Sequence, residues 1–366
     1  DTLYAPVKAL KDKKAGKPLV VRNLASGKQT IVDWVKSYTI SRTGMRLAAY
    51  TKPHKSDSLA VSDMILLNLP DTSRISLLSD QKFYGSPVFS YNADKMAFTA
   101  SMDSAESGTR RCDLYSVDLS SGALQPRKMR IMPTVNANSR PTVMPPRVTD
   151  ESKRDSLYAE ARKHLAAMMG DSIFINQHTV PSFSHDGRRL IAGVARYVAP
   201  DDTTIVDFEQ PTLDIWRWDA PYTPPQEKSA LERTRKATLP LVIDIETEKQ
   251  TLITDSELAT VVAPDRWDAD WALVRDPEKA IISQQWNYSA PEDLYVVNVN
   301  SGERRKAGSA AIDNSGLSPA GKYVYWFDNR QYYAYDIATG ATVCLSEKIE
   351  APLWEEDQDI PMARQP

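Results

Sequence analysis

The sequence predicts an all-β protein, a β-propeller of four-stranded blades carrying one helical insertion. Three observations predict it. A two-strand unit recurs with different wording, a polar turn sits at the same place in each copy, and an Asp or Asn marks the second turn at blade-sized intervals. One half of the unit reads SPVFSYNADKMAFTA from Ser86, VPSFSHDGRRLIAGV from Val180 and SGLSPAGKYVYWF from Ser315. A looser copy, SYTISRTGMRLAAYT, starts at Ser37, and a degraded one, WDADWALVRDPEKAIISQ, at Trp267. The other half reads DLYSVDLSSGAL from Asp113, DLYVVNVNSGER from Asp293 and QYYAYDIATGAT from Gln331. Weaker versions start at Leu19, Met64 and Leu241. Units of this size cannot bury an apolar face alone, so they stack, and four-stranded units stack radially.

Within the first half, Val88, Met96 and Phe98 fit alternating strand positions. Asn92-Ala93-Asp94 and His185-Asp186-Gly187 supply the residues with which a chain reverses tightly. The strands that follow, RRLIAGVA and KYVYWFD, hold the branched and aromatic side chains that suit a half-buried pleat. In the second half, Ser121-Gly122, Ser301-Gly302 and Thr339-Gly340 close the turn. No helix follows these glycines, so they are turn residues and not phosphate loops. Asn23, Asn68, Asp118, Asp244, Asn298 and Asp336 form the ruler, with most intervals near the ~40–50 residues of a blade. About five to six blades are recognisable, and the ring reads as incomplete.

The interval from Asp118 to Asp244 is more than twice the others, so material is inserted there. The insertion spans 131–179. Its Pro133 to Pro146 stretch reads as an extended connection, and a helix is predicted near 150–169, with acidic residues at its start and Gly170 at its close. A second excursion runs near 199–238, in which EKSALERTRKA from Glu227 forms a short helix. The whole of 1–366 is read as one propeller domain.

Bulk composition narrows the function classes. Formal net charge is −3, without a long basic or acidic block, so nucleic acid and anionic membrane are not indicated. The basic stretch Lys8 to Lys17 reads as a solvated loop. No apolar run approaches the ~20 residues of a membrane span. The chain opens at Asp1 without Met, which reads as a mature form or an excised piece. Two cysteines, Cys112 and Cys344, are too few for a disulfide framework or a Cys-based zinc site, and unpaired thiols are the expectation. A bridge between distant blades is the alternative.

No Gly-x-Ser-x-Gly elbow, Walker loop, dinucleotide fingerprint or His-Glu-x-x-His occurs. Of the four histidines, His54, His164 and His185 read as structural or surface residues, and His178, just before a strand, ranks above them. Their separation gives no metal-ligand spacing, so neither a metal nor a cofactor is expected. The acidic run Trp354 to Asp359 lacks the alternation and Gly of a calcium loop and reads as solvated. WRWD and QYYAY read first as aromatics packed between blades. In the alternative they line a recognition surface, and the candidate binding-loop residues are then Trp216, Trp218 and His178.

Strands of the SPxFSxDGxxLAF type followed by DLYxxDLxTG strands resemble the propeller repeats of the prolyl oligopeptidase family of serine peptidases. PTLDIWRWDAPYTPPQE from Pro211 and LSEKIEAPLWEEDQDIPMARQP from Leu345 are similar to segments of large bacterial members. The resemblance covers nearly the whole chain, and its motifs belong to the scaffold. It implies a periplasmic or secreted protein and an associated α/β-hydrolase domain with a Ser-Asp-His triad, which this chain lacks. Family dipeptidyl peptidases hold the substrate amino terminus with adjacent glutamates; here Glu160 is followed by Ala161, so the pair is not reproduced. No catalytic residue carries over. Two functions follow as expectations: a propeller that gates peptide access to a hydrolase domain, or a stand-alone propeller that binds a protein or glycan through rim loops.

Overall fold

The computed structural model describes residues 16–24, 26–52, 62–103, 110–121, 124–131, 173–196, 214–218, 220–287, 290–311 and 314–353. They fall in two compact units, one within Asp1–Ile131 and Phe174–Asp201, the other within Met132–Ile173 and Asp202–Pro366.

The first unit begins with β1 (Lys17–Arg22), β2 (Gln29–Ile40), β3 (Arg46–Thr51), β4 (Ser62–Asn68) and β5 (Arg74–Gln81). These form one antiparallel sheet in sequence order. β2 plays two parts, because the register slips on both of its edges around Trp34, whose φ is 61°. Its beginning pairs with β1 and its end with β3. Next come β6 (Phe83–Tyr84), β7 (Val88–Phe89), β8 (Lys95–Ser101), β9 (Arg111–Asp118) and β10 (Arg127–Met129). A second four-stranded meander runs β7–β8–β9–β10, with Val88 opposite Ala97, Ala97 opposite Ser116 and Ser116 opposite Arg127. β11 (Ile173–Asn176) pairs with β9, and β12 (Ser182–Phe183) with β13 (Arg189–Arg196). The residues 173–176, read from sequence as the tail of the insertion, are therefore a strand.

The second unit contains helix α1 (Pro224–Lys236) and the hairpin β14 (Leu239–Asp244) with β15 (Gln250–Leu252). Two further meanders follow. One is β16 (Thr260–Val262), β17 (Trp271–Asp276), β18 (Glu292–Asn298) and β19 (Arg304–Ala310); the other is β20 (Ser315–Leu317), β21 (Tyr323–Asp328), β22 (Gln331–Asp336) and β23 (Thr342–Cys344). Repeated four-stranded antiparallel meanders are the blades of a β-propeller, as the two-strand grammar predicts.

The grammar has a hydrogen-bonding reason. Ser41, Ser90, Ser184 and Ser318 each open the turn between the first and second strands of a blade. Each hydroxyl accepts the backbone N–H five residues later, at 3.1, 3.0, 2.9 and 3.0 Å. A residue three positions after each Ser, Gly44, Ala93, Gly187 or Gly321, takes a positive φ of 58–73°. Glycine meets that geometry without strain, and Ala93 is the exception. The second turn is held by the ruler residues. Asn23, Asp244, Asn298 and Asp336 accept a backbone N–H on their side-chain oxygen three residues on, at 2.9, 2.9, 3.0 and 3.2 Å. Such side-chain turns are why Asn and Asp recur there. In the degraded copy, a 3-10 turn at Pro264–Trp267 replaces the serine, with positive φ at Arg266 and Trp267.

Each unit has its own apolar core. In the first, Ala48, Met64 and Leu66 of one blade pack on Tyr84, Met96, Phe98 and Val117 of the next. Phe98 stacks on Tyr115 at 5.3 Å. In the second, Leu273, Leu294 and Val296 meet Leu317, Val324, Trp326 and Tyr335. Trp326 lies so close to β19 that a Cβ at Gly308 would come within 2.8 Å of its ring. Fully burying one side chain of this size contributes ~1.5–3 kcal/mol, so blade-to-blade contact is a main source of stability. QYYAY obeys its packing expectation, with Tyr335 buried and Tyr333 stacked on Trp326 at 5.6 Å.

EKSALERTRKA folds as expected and belongs to α1. Thr223 precedes it, Pro224 takes the first turn, and Gln226 accepts the Thr223 N–H at 2.8 Å. Arg233, Arg235 and Lys236 occupy the last turn, where cations suit the helix dipole. The predicted helix near 150–169, Pro133 to Pro146, Glu160 and Ala161, His54, His164 and the acidic run Trp354 to Asp359 lie outside the described residues.

Candidate functional site

The segment leading into α1 carries the most exposed aromatic surface among the described residues. Trp216 and Trp218 are 67% and 94% exposed, flanked by the exposed Ile215 and Tyr222. Packing between blades, the first sequence reading of WRWD, is therefore corrected. The physical reason is local: these residues sit in no strand, so no pleat turns one of them inward, and Pro221, Pro224 and Pro225 follow at once.

The segment is nevertheless held. Asp214 and Lys228 of α1 form an ion pair at 2.8 Å. The Gln285 side-chain amide donates to the Pro221 carbonyl, tying the segment to the short turn at Ser283–Gln285. Trp286, the residue that follows this turn, is 69% exposed. Sequence reading did not single out Trp286, because nothing in its local pattern shows that a hydrogen bond brings its turn to the Trp216 segment. Burying large amphipathic rings such as these supplies much of the energy of many interfaces.

His178 belongs to the other unit. It is exposed on the turn after β11, and its backbone N–H donates to Asn176 Oδ1 at 3.0 Å. Sequence reading also passed over a contact among three blades of the first unit. The residue immediately after the turn serine is Arg42, Tyr91 or His185. The Arg42 guanidinium lies 3.8 Å from the centre of the Tyr91 ring, and the His185 ring lies 4.0 Å from it. A shared offset from the serine was the signal that could have found them.

Electrostatics elsewhere is structural. Burial would raise the Asp293 carboxyl, but Lys279 at 2.6 Å and Lys306 at 2.7 Å outweigh it and hold the group below the usual carboxylate range. The same arrangement, a third-strand Asp with a fourth-strand Lys, recurs as Asp113 and Lys128 at 2.7 Å. Burial pushes the Cys112 thiol up to about 12. Cys112 and Cys344 are both free thiols. Among the described residues, no group of three or more His, Cys, Asp or Glu is placed to hold a metal ion, and no helix is long and apolar enough to cross a membrane.

No known protein-family model matches the chain, and no curated protein does. Solved structures similar to it include TolB from Acinetobacter baumannii, at 12% identity and a TM-score of 0.31, covering 92% of this chain and 65% of that one. Acylaminoacyl peptidase from Pyrococcus horikoshii matches at 15% identity and a TM-score of 0.37, over 86% of this chain and 40% of the peptidase. The β-propeller domain of the trilobed protease from Pyrococcus furiosus, described as having an open velcro topology, matches at 13% identity and a TM-score of 0.36, over 89% and 73%. The chain thus spans less than two thirds of the length of the first two.

Proposed function

We propose that this chain is the non-catalytic propeller portion of a prolyl oligopeptidase-like serine peptidase, located outside the cytoplasm. In this reading it gates the access of peptides to an α/β-hydrolase domain and carries no catalytic residue itself. The observation that supports it is the paired grammar of SPxFSxDG and DLYxxDLxTG strands, which resembles that family's repeats and which these turns explain residue by residue. A ring of blades offers a narrow passage that a short unfolded peptide can thread and a folded protein cannot. The test uses the product of the full reading frame, supplied with one cleavable sequence in two forms. A free peptide should be cut, and the same sequence inside a folded protein should be spared. Equal cleavage of both forms overturns the gating role.

A second reading has an observation of its own. The exposure of Trp216 and Trp218 favours a stand-alone extracytoplasmic propeller that binds a protein or glycan through this rim segment. Trp216→Ala and Trp218→Ala then weaken partner capture while leaving the unfolding midpoint unchanged. Loss of the fold in either variant removes the support for this reading.

A further inference from the structure

The first strands of three successive blades come together in the first unit, because β2 and β12 each approach β7. Each of these strands ends one residue before its turn serine, at Ile40, Phe89 and Phe183. The residues that follow the serines, Arg42, Tyr91 and His185, therefore meet although they lie far apart in sequence. Their turns are also bound to one another. Arg46 donates from Nη2 to the Leu119 carbonyl at 2.8 Å, and the Leu119 N–H donates to the Asp94 carbonyl at 2.8 Å. Gly187 packs so near the Tyr91 turn that a Cβ there would lie 3.6 Å from the Ser90 Cβ.

The three turns, 41–46, 90–95 and 184–189, hold five cationic side chains and two carboxylates, a formal +3 in a chain whose net charge is −3. Both carboxylates are engaged within their own turns. Asp94 accepts the Ser90 hydroxyl at 2.6 Å and pairs with Lys95 at 3.5 Å. Asp186 accepts the Ser184 hydroxyl at 2.6 Å and the Arg188 N–H at 2.9 Å. Arg42 is exposed, and among the described residues no carboxylate pairs with its guanidinium. What holds it is the Tyr91 ring, whose centre lies 3.8 Å away. A guanidinium set over a ring face keeps its planar fork of N–H groups for a further partner. That fork matches a carboxylate, which takes two parallel hydrogen bonds from it. Holding the side chain beforehand reduces the entropy lost on binding.

We propose that Arg42, positioned by Tyr91, binds the carboxylate of a peptide. Tyr91 is in turn backed by His185, so each of three blades supplies one part of the site. The carboxylate belongs to the peptide's C-terminus or to an acidic side chain, which present the same two oxygens to the fork. That the ligand is a peptide rests on the peptidase reading. That it carries a carboxylate rests on these turns alone.

The test uses the natural protein, treated with a serine-directed fluorophosphonate so that no peptide is cut, and three forms of one short neutral peptide. The first form ends in a free carboxylate, the second in an amide, and the third in an amide with one residue replaced by Glu. One or both acidic forms should bind about tenfold tighter than the plain amide. A gain in the first form alone assigns the terminus, and a gain in the third alone assigns an acidic side chain. Arg42→Gln should abolish the gain, and Arg42→Lys should keep part of it, because the charge remains while the fork is lost. Tyr91→Leu should reduce the gain with the Arg42 charge intact. Since Arg42 is exposed, its two variants should unfold within about 2 °C of the parent. Equal affinity for all three forms overturns the proposal, as does a gain that survives Arg42→Gln. Binding of inorganic phosphate without binding of either acidic peptide means an adventitious ion only, and overturns it too. Such a failure leaves the gating reading intact. A protein that cuts free and folded substrates alike loses gating, while its preference for the carboxylate stands.

Discussion

Ser184 and Arg189 hold each other twice across a turn. The Ser184 N–H donates to the Arg189 carbonyl at 2.9 Å, and the Ser184 hydroxyl accepts the Arg189 N–H at 2.9 Å. Both residues are buried, so removing the hydroxyl leaves an N–H with no water to replace it. Ser184→Ala is expected to cost about 1–3 kcal/mol. Ser318 makes the same bond in a half-exposed turn, and Ser318→Ala should cost less, about 0.5–1 kcal/mol. Urea unfolding of the two variants checks the order, and equal losses would mean that burial is not the cause.

Ala93 adopts φ 58° where three equivalent turns use glycine. An L side chain is strained there, so Ala93→Gly should stabilise the protein by about 0.5–1 kcal/mol despite the greater freedom of glycine in the unfolded chain. A lower unfolding midpoint would show that the small packing contribution of its buried methyl group is the larger effect.

The two thiols should differ in reactivity. Cys112 is buried and its thiol is pushed up to about 12, so almost no thiolate forms near pH 8. Cys344 is partly exposed. A thiol reagent should modify one cysteine in the native protein and both after unfolding. Rapid modification of Cys112 in the folded state contradicts the burial.

Acid should weaken the fold through three carboxyls held low. Hydrogen bonds from the Ser120 hydroxyl and N–H lower Asp118. Burial would raise Asp186, but the Ser184 hydroxyl and the Arg188 N–H outweigh it, and the two lysines do the same at Asp293. A folded value below the unfolded one gives stability that is complete above the ordinary carboxylate value near 3.9 and is lost as pH falls through the depressed values. Unfolding free energy should thus fall steeply below about pH 4. Asp293→Asn should cost about 1 kcal/mol near neutrality and flatten this acid limb. An unchanged acid slope would contradict the role of the Lys279–Asp293–Lys306 cluster.

Much of the scaffold was legible because its turns use side chains as hydrogen-bonding parts. Ser90 and Asn298 are required by turn geometry, so their spacing survives where the strands between them drift. The copy at Trp267 was hard to read because it swaps the serine turn for a 3-10 turn with two positive-φ residues. The candidate site was less legible. Trp216 and Trp218 lie outside any strand, so periodicity could not tell their exposure, and the turn before Trp286 is tied to their segment through the Gln285 bond to Pro221, which no local pattern shows. The Arg42, Tyr91 and His185 contact was hidden for another reason: three separate blades each supply one partner.

The most direct test of the proposed function is the intact mass of the natural protein, set against its full open reading frame and its labelling by a serine-directed fluorophosphonate. The expected result is a frame that continues into a Gly-x-Ser-x-Gly segment, with the label on that serine and none on residues 1–366. A frame that stops at Pro366, or a full-length product that takes no label, contradicts it.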